Sequence, residues 1–267
     1  MQKYSRERLI VIGLAIGTGL LIVLTHVQKS ANPRLADFRI LTEVTQGLSP
    51  LLPEPKPHPL PSTLVHWQDV TNSGDYFLQV MPTEVGYLVW SQFPVRVYIE
   101  RSTSGSSTAS VQKWVRAVLQ AVREWNAYVP LEVVNRQDLA DISIVRSAPS
   151  LTAKSNLRSL AQRARSAETR YELYVSNKST TTGILSHRCT ILLSPSQTSQ
   201  YLQAAARHEL GHALGIWGHS PVATDALYFS QVRNPPLISP RDINTLKRVY
   251  EQETRLGWSL PPSSRLL

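Results

Sequence analysis

The stretch from His208 to His219 constrains this chain more than any other part of its sequence. It reads HELGHALGIWGH and places His208 and His212 four residues apart. On an α-helix that spacing brings two side chains onto one face, because a turn takes about 3.6 residues. Gly215 predicts a left-handed C-terminal cap, after which the chain turns back and brings His219 towards the other two. The stretch therefore predicts a helix, a sharp turn and three converging imidazoles.

Three imidazoles are a suitable ligand set for zinc, because catalytic zinc sites use three protein ligands and leave the fourth position to water. Bound zinc lowers the pKa of its water to about 7 and polarises a substrate carbonyl. Glu209 follows the first histidine, where a general base could take the proton of the zinc-bound water and pass it to a leaving amine. The other interpretation is an amphipathic helix whose histidines are surface or core groups. That interpretation is strongest for His219, because only the turn at Gly215 argues for its return.

This stretch resembles the metzincin zinc peptidases, and among them most the matrixins, whose pattern is H-E-x-x-H-x-x-G-x-x-H followed by a Met-turn. The third histidine of that pattern would fall at Gly218, whereas this chain has it one residue later. Residues 224–228 (TDALY) resemble the Met-turn, with Leu227 in the place of the methionine. Residues 237–250 resemble the matrixin C-terminal helix, and they also carry an N-cap, a proline and a first-turn carboxylate at Ser239, Pro240 and Asp242.

The resemblance implies a zinc-dependent endopeptidase that hydrolyses a peptide or protein substrate. It assigns one catalytic Zn²⁺ to His208, His212 and His219 and the general-base role to Glu209. Two neighbours are weaker candidates: Asp225 as the acceptor for a ring nitrogen that faces away from the metal, and Tyr228 either as an oxyanion donor or as a packing residue.

The alternative function is a non-catalytic, metzincin-like, membrane-tethered binding or scaffold domain. In that case the zinc is structural, or the site is impaired by the longer turn and the missing methionine. The two functions predict different coordination, because a catalytic site keeps an open position whereas a structural site is closed by a fourth protein ligand.

Residues 9–27 carry no Asp, Glu, Lys or Arg and follow Lys3, Arg6 and Arg8. As a helix they would span about 28 Å, close to the hydrocarbon thickness of a bilayer. Residues 1–28 therefore predict an N-terminal transmembrane anchor or a cleaved signal segment. We expect either a single-pass membrane protein with an exported catalytic domain or, if the segment is cleaved, a secreted protein.

Proline recurs at Pro50, Pro53, Pro55, Pro57, Pro59 and Pro61. Because proline excludes helix and central strand, residues 29–61 predict a semi-rigid linker, in which His58 is a spacer residue. The zinc peptidase domain is expected over residues 62–260, with a tail at 261–267. Its first residues, 62–86, are ambiguous between an extension and the first elements of the domain.

Hydrophobic periodicity predicts an α+β domain: a twisted mixed sheet backed by a helix, followed by the active-site helix and the C-terminal helix. The backing helix follows from the apolar stripe between Val111 and Trp125. A helix between strands favours parallel neighbours. The predicted strands are residues 87–90, 94–100, 131–134, 140–145, 171–175 and 184–193.

The net charge of +9 favours attraction to an anionic membrane surface over nucleic-acid binding, which we do not expect. Residues 154–170 are rich in Arg and predict a basic helical insertion or loop. The single cysteine, Cys189, allows no intramolecular disulfide and predicts a buried core residue. Nearby His187 is predicted to be a surface residue of the same strand. Oligomeric state is undetermined.

Overall fold

A five-stranded mixed sheet forms the centre of this protein, as described by a computed structural model for residues 13–14, 52–101, 108–149, 166–176 and 183–261. Its strands are β1 (Val95–Ile99), β2 (Leu131–Val134), β3 (Ile142–Val145), β4 (Ala167–Ser176) and β5 (Ile184–Leu193). They lie in the order β4-β5-β3-β1-β2, and all are parallel except β4, which runs antiparallel to β5. The predicted mixed sheet is confirmed, with parallel pairing wherever a crossover separates the strands.

Residues Gly13–Leu14 pair antiparallel with Glu172 and Tyr171 of β4. The rest of the predicted membrane segment, residues 1–28, lies outside the described residues, as does most of the predicted tail. Among the helices that the structure does describe, none is both long and apolar enough to cross a bilayer.

Four helices accompany the sheet: α1 (Ser62–Val65), α2 (Ala109–Asn126), α3 (Ser199–Ala213) and α4 (Pro240–Tyr250). Short 3₁₀ turns occur at Phe77–Gln79 and Gln137–Leu139. The predicted stripe of α2 is buried at Trp114, Val118, Val122 and Trp125, so amphipathicity identified this helix correctly.

Helix α3 packs against α2 and against strands β4 and β5 of the sheet. The Trp125 indole N–H of α2 donates to the Arg207 carbonyl of α3 at 2.8 Å. The Arg207 guanidinium, itself buried, pairs with Glu124 at 2.6 Å. Packing and a shared polar contact therefore hold α3 in one place, as a site on its surface requires.

Helix α4 begins as predicted. The Ser239 side chain accepts from the Asp242 N–H, the Asp242 carboxylate accepts from the Ser239 N–H, and proline occupies the first turn. This capping box satisfies two N–H groups that a helix start leaves without intrahelical partners. The predicted apolar face is buried at Ile243, Leu246, Val249 and Tyr250.

Two strand predictions need correction. Residues 87–90 are not a strand, although Leu88, Val89 and Trp90 are buried. They fill space below the end of α3, where the Trp90 indole N–H donates to the Ala213 carbonyl at 2.9 Å. Strand β4 begins at Ala167 instead of residue 171, so the predicted basic insertion ends earlier, and its residues 154–165 lie outside the described part.

The proline-rich segment is also not a free spacer over its last ten positions. Lys56 pairs with Thr254 in an antiparallel bridge, and the His58 ring stacks on Trp258 with centroids 4.2 Å apart. Pro53 and Pro61 are buried. An extended proline-rich chain has carbonyls without partners of its own, and here the Lys56 carbonyl accepts from the Thr254 N–H at 3.2 Å.

His187 was predicted on the strand surface, and this prediction is wrong. Its side chain is buried and its ring stacks on Trp90 at 3.9 Å. Alternation along β5 places it on the same inner face as Leu185 and Cys189. Cys189 is buried and free, as predicted.

Candidate metal centre

Helix α3 places His208 and His212 one turn apart with their rings directed at the same point. Their Nε2 atoms lie 3.1 Å apart, and their ring centroids are 4.8 Å apart at an interplanar angle of 85°. The four-residue spacing is therefore converted into a close pair of nitrogens, as expected from helix geometry.

His219 joins this pair after the turn. Its ring centroid lies 5.3 Å from that of His208 and 4.9 Å from that of His212. The candidate ligand atoms of the three residues all lie within 4.8 Å of one another, and the described residues contain no other such group of three or more His, Cys, Asp or Glu side chains. The structure thus brings together all three histidines that the sequence singled out.

Backbone carbonyls fix the other nitrogens of the helical pair. His208 Nδ1 contacts the Ala226 carbonyl at 2.8 Å, and His212 Nδ1 contacts the Ile216 carbonyl at 2.7 Å. A carbonyl only accepts, so each Nδ1 carries the proton and each Nε2 presents a lone pair. The suggestion that Asp225 would accept one of these protons is wrong, because both acceptors are backbone oxygens.

Burial keeps these imidazoles neutral. Desolvation, assisted by the neighbouring His219, lowers the pKa of His208 to about 4. Desolvation likewise moves the pKa of His212 well below its usual value, and it lowers the pKa of His219. The neutral ring is the form that binds a metal, so near pH 7 the site holds its ligands ready for a cation.

The turn after α3 depends on glycine at two positions. Gly215 has φ +128°, and a Cβ there would lie 2.7 Å from the Leu88 carbonyl oxygen. At Gly218 a Cβ would clash with the Gln79 carbonyl oxygen, because residues 79–81 cross the turn closely. The Met81 N–H donates to the Trp217 carbonyl at 3.0 Å. An N-terminal segment thus supports the loop that carries His219.

Leu227, at the position that resembles the Met-turn methionine, is fully buried against α3. A Cβ added at Gly211 would meet its Cδ2 atom at 2.6 Å. The glycine within the HELGH motif therefore leaves room for the leucine, which gives the site a hydrophobic floor. The adjacent Ala226 supplies the carbonyl for His208, so floor and ligand orientation come from one turn.

Two buried carboxylates hold this turn. Asp242 accepts from the Ala226 N–H at 2.9 Å and from the Tyr76 hydroxyl at 2.6 Å, while burial raises the pKa of Asp242. Asp225 accepts from Ser239 at 2.8 Å and from the Arg241 guanidinium at 3.0 Å. Sequence reasoning identified Asp242 only as a helix-start carboxylate. Its second role depends on a contact across 16 residues, which no local pattern reveals.

Glu209 is buried beside the histidine pair and contacts the sheet. The Thr169 hydroxyl of β4 lies 2.6 Å from Glu209 Oε2 and 3.1 Å from the Glu209 carbonyl oxygen. Sequence reasoning did not find Thr169, because nothing local distinguishes it from other strand threonines. Tyr228 is half-buried with its ring centroid 4.4 Å from that of Phe229, and its role as an oxyanion donor stays a prediction.

No protein-family model matches this chain, and no curated protein matches it either.

Proposed function

We propose that this protein is a zinc-dependent endopeptidase of the metzincin kind, matrixin-like in its ligand motif. The single observation that carries the proposal is the approach of two neutral imidazoles, of which His212 is buried and His208 half-buried, to 3.1 Å between their Nε2 atoms. Without a cation between them, the contact of these two Nε2 atoms is unfavourable.

A count of protons explains why. Three contacts involve the pair: His208 Nδ1 to Ala226 O, His212 Nδ1 to Ile216 O, and Nε2 to Nε2. Each needs one proton to be attractive, but two neutral imidazoles carry only two. Burial lowers the pKa of both rings and so opposes a third proton. A cation shared by the two Nε2 atoms makes the third contact attractive.

The donor set fits zinc. Two nitrogens bonded to one tetrahedral zinc ion lie roughly 3.3 Å apart, near the observed 3.1 Å. The Nε2 atom of His219 is buried and has no hydrogen-bond partner among the described residues, as expected of a third ligand. Zinc is also the ion for which three imidazoles and one open position are a common catalytic set.

The same cluster favours a catalytic over a structural ion. Within the described part of the chain no fourth His, Cys, Asp or Glu joins the three histidines. A structural zinc site is closed by four protein ligands, whereas a catalytic one keeps a position for water. This observation supports the enzyme over the non-catalytic scaffold.

Fold and turn features support the matrixin-like assignment. Helix α2 connects parallel strands, α3 follows β5 directly, and Leu227 lies under α3 where that family has its methionine. The Asp242 carboxylate connects the C-terminal helix to the turn. The longer turn before His219 is accommodated by residues 79–81, so the extra residue does not prevent the third imidazole from returning.

A bound zinc ion would supply a Lewis acid that activates water and polarises the substrate carbonyl. Glu209 takes a proton from the attacking water while the oxygen of that water bonds to the carbonyl carbon of the substrate. Glu209 then passes that proton to the amine nitrogen as the C–N bond breaks. The Ala226 and Ile216 carbonyls keep both imidazoles in one tautomer and orientation throughout.

The substrate class we propose is peptides or unfolded proteins, and the proposed setting is a membrane-anchored or secreted protein whose catalytic domain is exported. Both rest on the motif and on the N-terminal apolar segment of residues 9–27.

The test uses the purified full chain, with metal content measured by mass spectrometry and hydrolysis of an unfolded protein measured with and without a chelator. We expect one zinc per chain and activity that chelation removes. Glu209→Gln should keep the zinc and lose roughly 100-fold or more in kcat, because general acid–base catalysis contributes about that much.

His212→Ala should lose zinc and activity together. The control is His66→Ala, which removes an exposed imidazole at the C-terminal end of α1 and should keep both. A chelator-insensitive wild type, or a Glu209→Gln variant as active as wild type, would refute the mechanism. Zinc binding without hydrolysis would favour the scaffold function.

A further inference from the structure

The catalytic carboxylate of the proposed mechanism is held from the sheet side by a residue outside the motif. Thr169 lies on β4 opposite Ile191 and is 1 % exposed. Its hydroxyl reaches over to α3 and contacts two oxygens of the same residue, Glu209: Oε2 at 2.6 Å and the backbone carbonyl at 3.1 Å.

The shorter of these contacts is the stronger one. A threonine hydroxyl has one proton to donate, and a carboxylate oxygen is a better acceptor than a carbonyl oxygen. A distance of 2.6 Å is typical of an O–H···O⁻ hydrogen bond, which is roughly twice as strong as one between neutral groups. The hydroxyl therefore holds one oxygen of Glu209 in a defined direction.

The position of Thr169 is itself well determined. It lies on the inner face of β4, within a long antiparallel pairing with β5. Its neighbour Glu168 is engaged by Arg170, with an N···O distance of 3.0 Å. The charged neighbours Glu168 and Arg170 thus pair with each other, and the paired strand holds the Thr169 hydroxyl in place beside Glu209.

We propose that Thr169 is the positioning residue for Glu209, orienting the carboxylate for proton transfer without touching the metal ligands. This inference rests on the proposed peptidase function and extends it to a residue of strand β4. A general base must lie within hydrogen-bond reach of the proton it takes. Holding the carboxylate in place should therefore raise kcat and leave the affinity for substrate unchanged.

The experiment compares Thr169→Val, which keeps the shape but removes the hydroxyl, with Thr169→Ser, which keeps the hydroxyl. In the full-length protein we expect Thr169→Val to lower kcat roughly 10- to 100-fold, the equivalent of one hydrogen bond to a charged group. KM should stay within about 2-fold, and one zinc per chain should remain. Thr169→Ser should recover most of the lost kcat.

A readout independent of activity is the infrared carboxylate stretch of Glu209 in the metal-free protein, assigned by difference against Glu209→Gln. Loss of a hydrogen bond to Oε2 should shift that band in Thr169→Val and not in Thr169→Ser. The matched control is Thr190→Val on β5, whose side chain lies on the other face of the sheet. This control should leave both kcat and the band unchanged.

Three results would overturn the proposal: Thr169→Val with the kcat of wild type or higher, a loss that Thr169→Ser fails to recover, or an unshifted band. Should Thr169→Val fold poorly, Thr169→Ala against Thr169→Ser makes the same comparison with small side chains. A wild type without chelator-sensitive hydrolysis removes the peptidase function and this role together. An active wild type that Thr169→Val does not impair removes only the role of Thr169.

Discussion

His187→Phe should make the fold less sensitive to acid, and the expected size follows from the position of this ring. His187 is buried on the inner face of β5, stacks on Trp90 at 3.9 Å, and its Nε2 atom has no hydrogen-bond partner among the described residues. Desolvation lowers its pKa to about 3, against an opposing attraction to Asp141. Phenylalanine keeps an aromatic ring against Trp90 but cannot take up a proton.

The sign follows from proton binding. In the unfolded chain a histidine has a pKa near 6.5, whereas the folded ring stays neutral until the pH is close to 3. Between these values the unfolded state holds one more proton than the folded state, so the stability contributed at neutral pH is lost as the pH falls. From pH 6 to pH 4.5 this one ring should remove about 2 kcal/mol from the free energy of unfolding.

The assay is urea unfolding of the metal-free protein at several pH values in that window, with wild type and variant measured side by side. The stability of His187→Phe relative to wild type should rise by about 2 kcal/mol between pH 6 and pH 4.5. The matched control is His66→Phe, which removes an exposed imidazole by the same substitution. Parallel curves for His187→Phe and wild type would contradict the burial argument.

Two further predictions concern the turn around the histidines. Gly215→Ala should lower the free energy of unfolding by roughly 1–3 kcal/mol and weaken zinc binding, because φ is +128° and the Leu88 carbonyl oxygen lies 2.7 Å from the new Cβ. Denaturant unfolding measures the first effect and zinc titration the second. Unchanged values in both assays would show that the turn relaxes freely. Leu227→Met should change the free energy of unfolding by less than about 1.5 kcal/mol and leave kcat within a few-fold of wild type, because the buried side chain acts as a hydrophobic floor. A large gain in kcat would instead show that the thioether sulfur matters.

Sequence reasoning predicted the parts of the site that depend on local geometry. The spacing of His208 and His212 determines their proximity once a helix forms. Glycine is the residue type that readily adopts a positive φ such as the +128° at position 215. The capping box of α4 is likewise local. These features require only helix periodicity and backbone sterics, so they can be predicted from a single sequence.

The missed features depend on contacts between distant segments. Residues 87–90 have the composition of a strand, but no strand among the described residues pairs with them, and Leu88, Val89 and Trp90 are buried as irregular chain. His187 has polar neighbours in sequence, yet the Trp90 ring covers it. Thr169 meets Glu209 across 40 residues. Local pattern cannot reveal which segments tertiary packing brings together.

The pairing of the proline-rich segment with residues 254–258 defines where an expressed fragment should begin. The Arg255 guanidinium donates to the Pro53 carbonyl, and the His58 imidazole contacts the Leu256 carbonyl at 2.7 Å. A fragment cut at residue 62 would leave the Trp258 ring and these groups uncovered. Expression from about residue 52 onwards preserves these contacts, and limited proteolysis should leave the docked residues 53–58 intact.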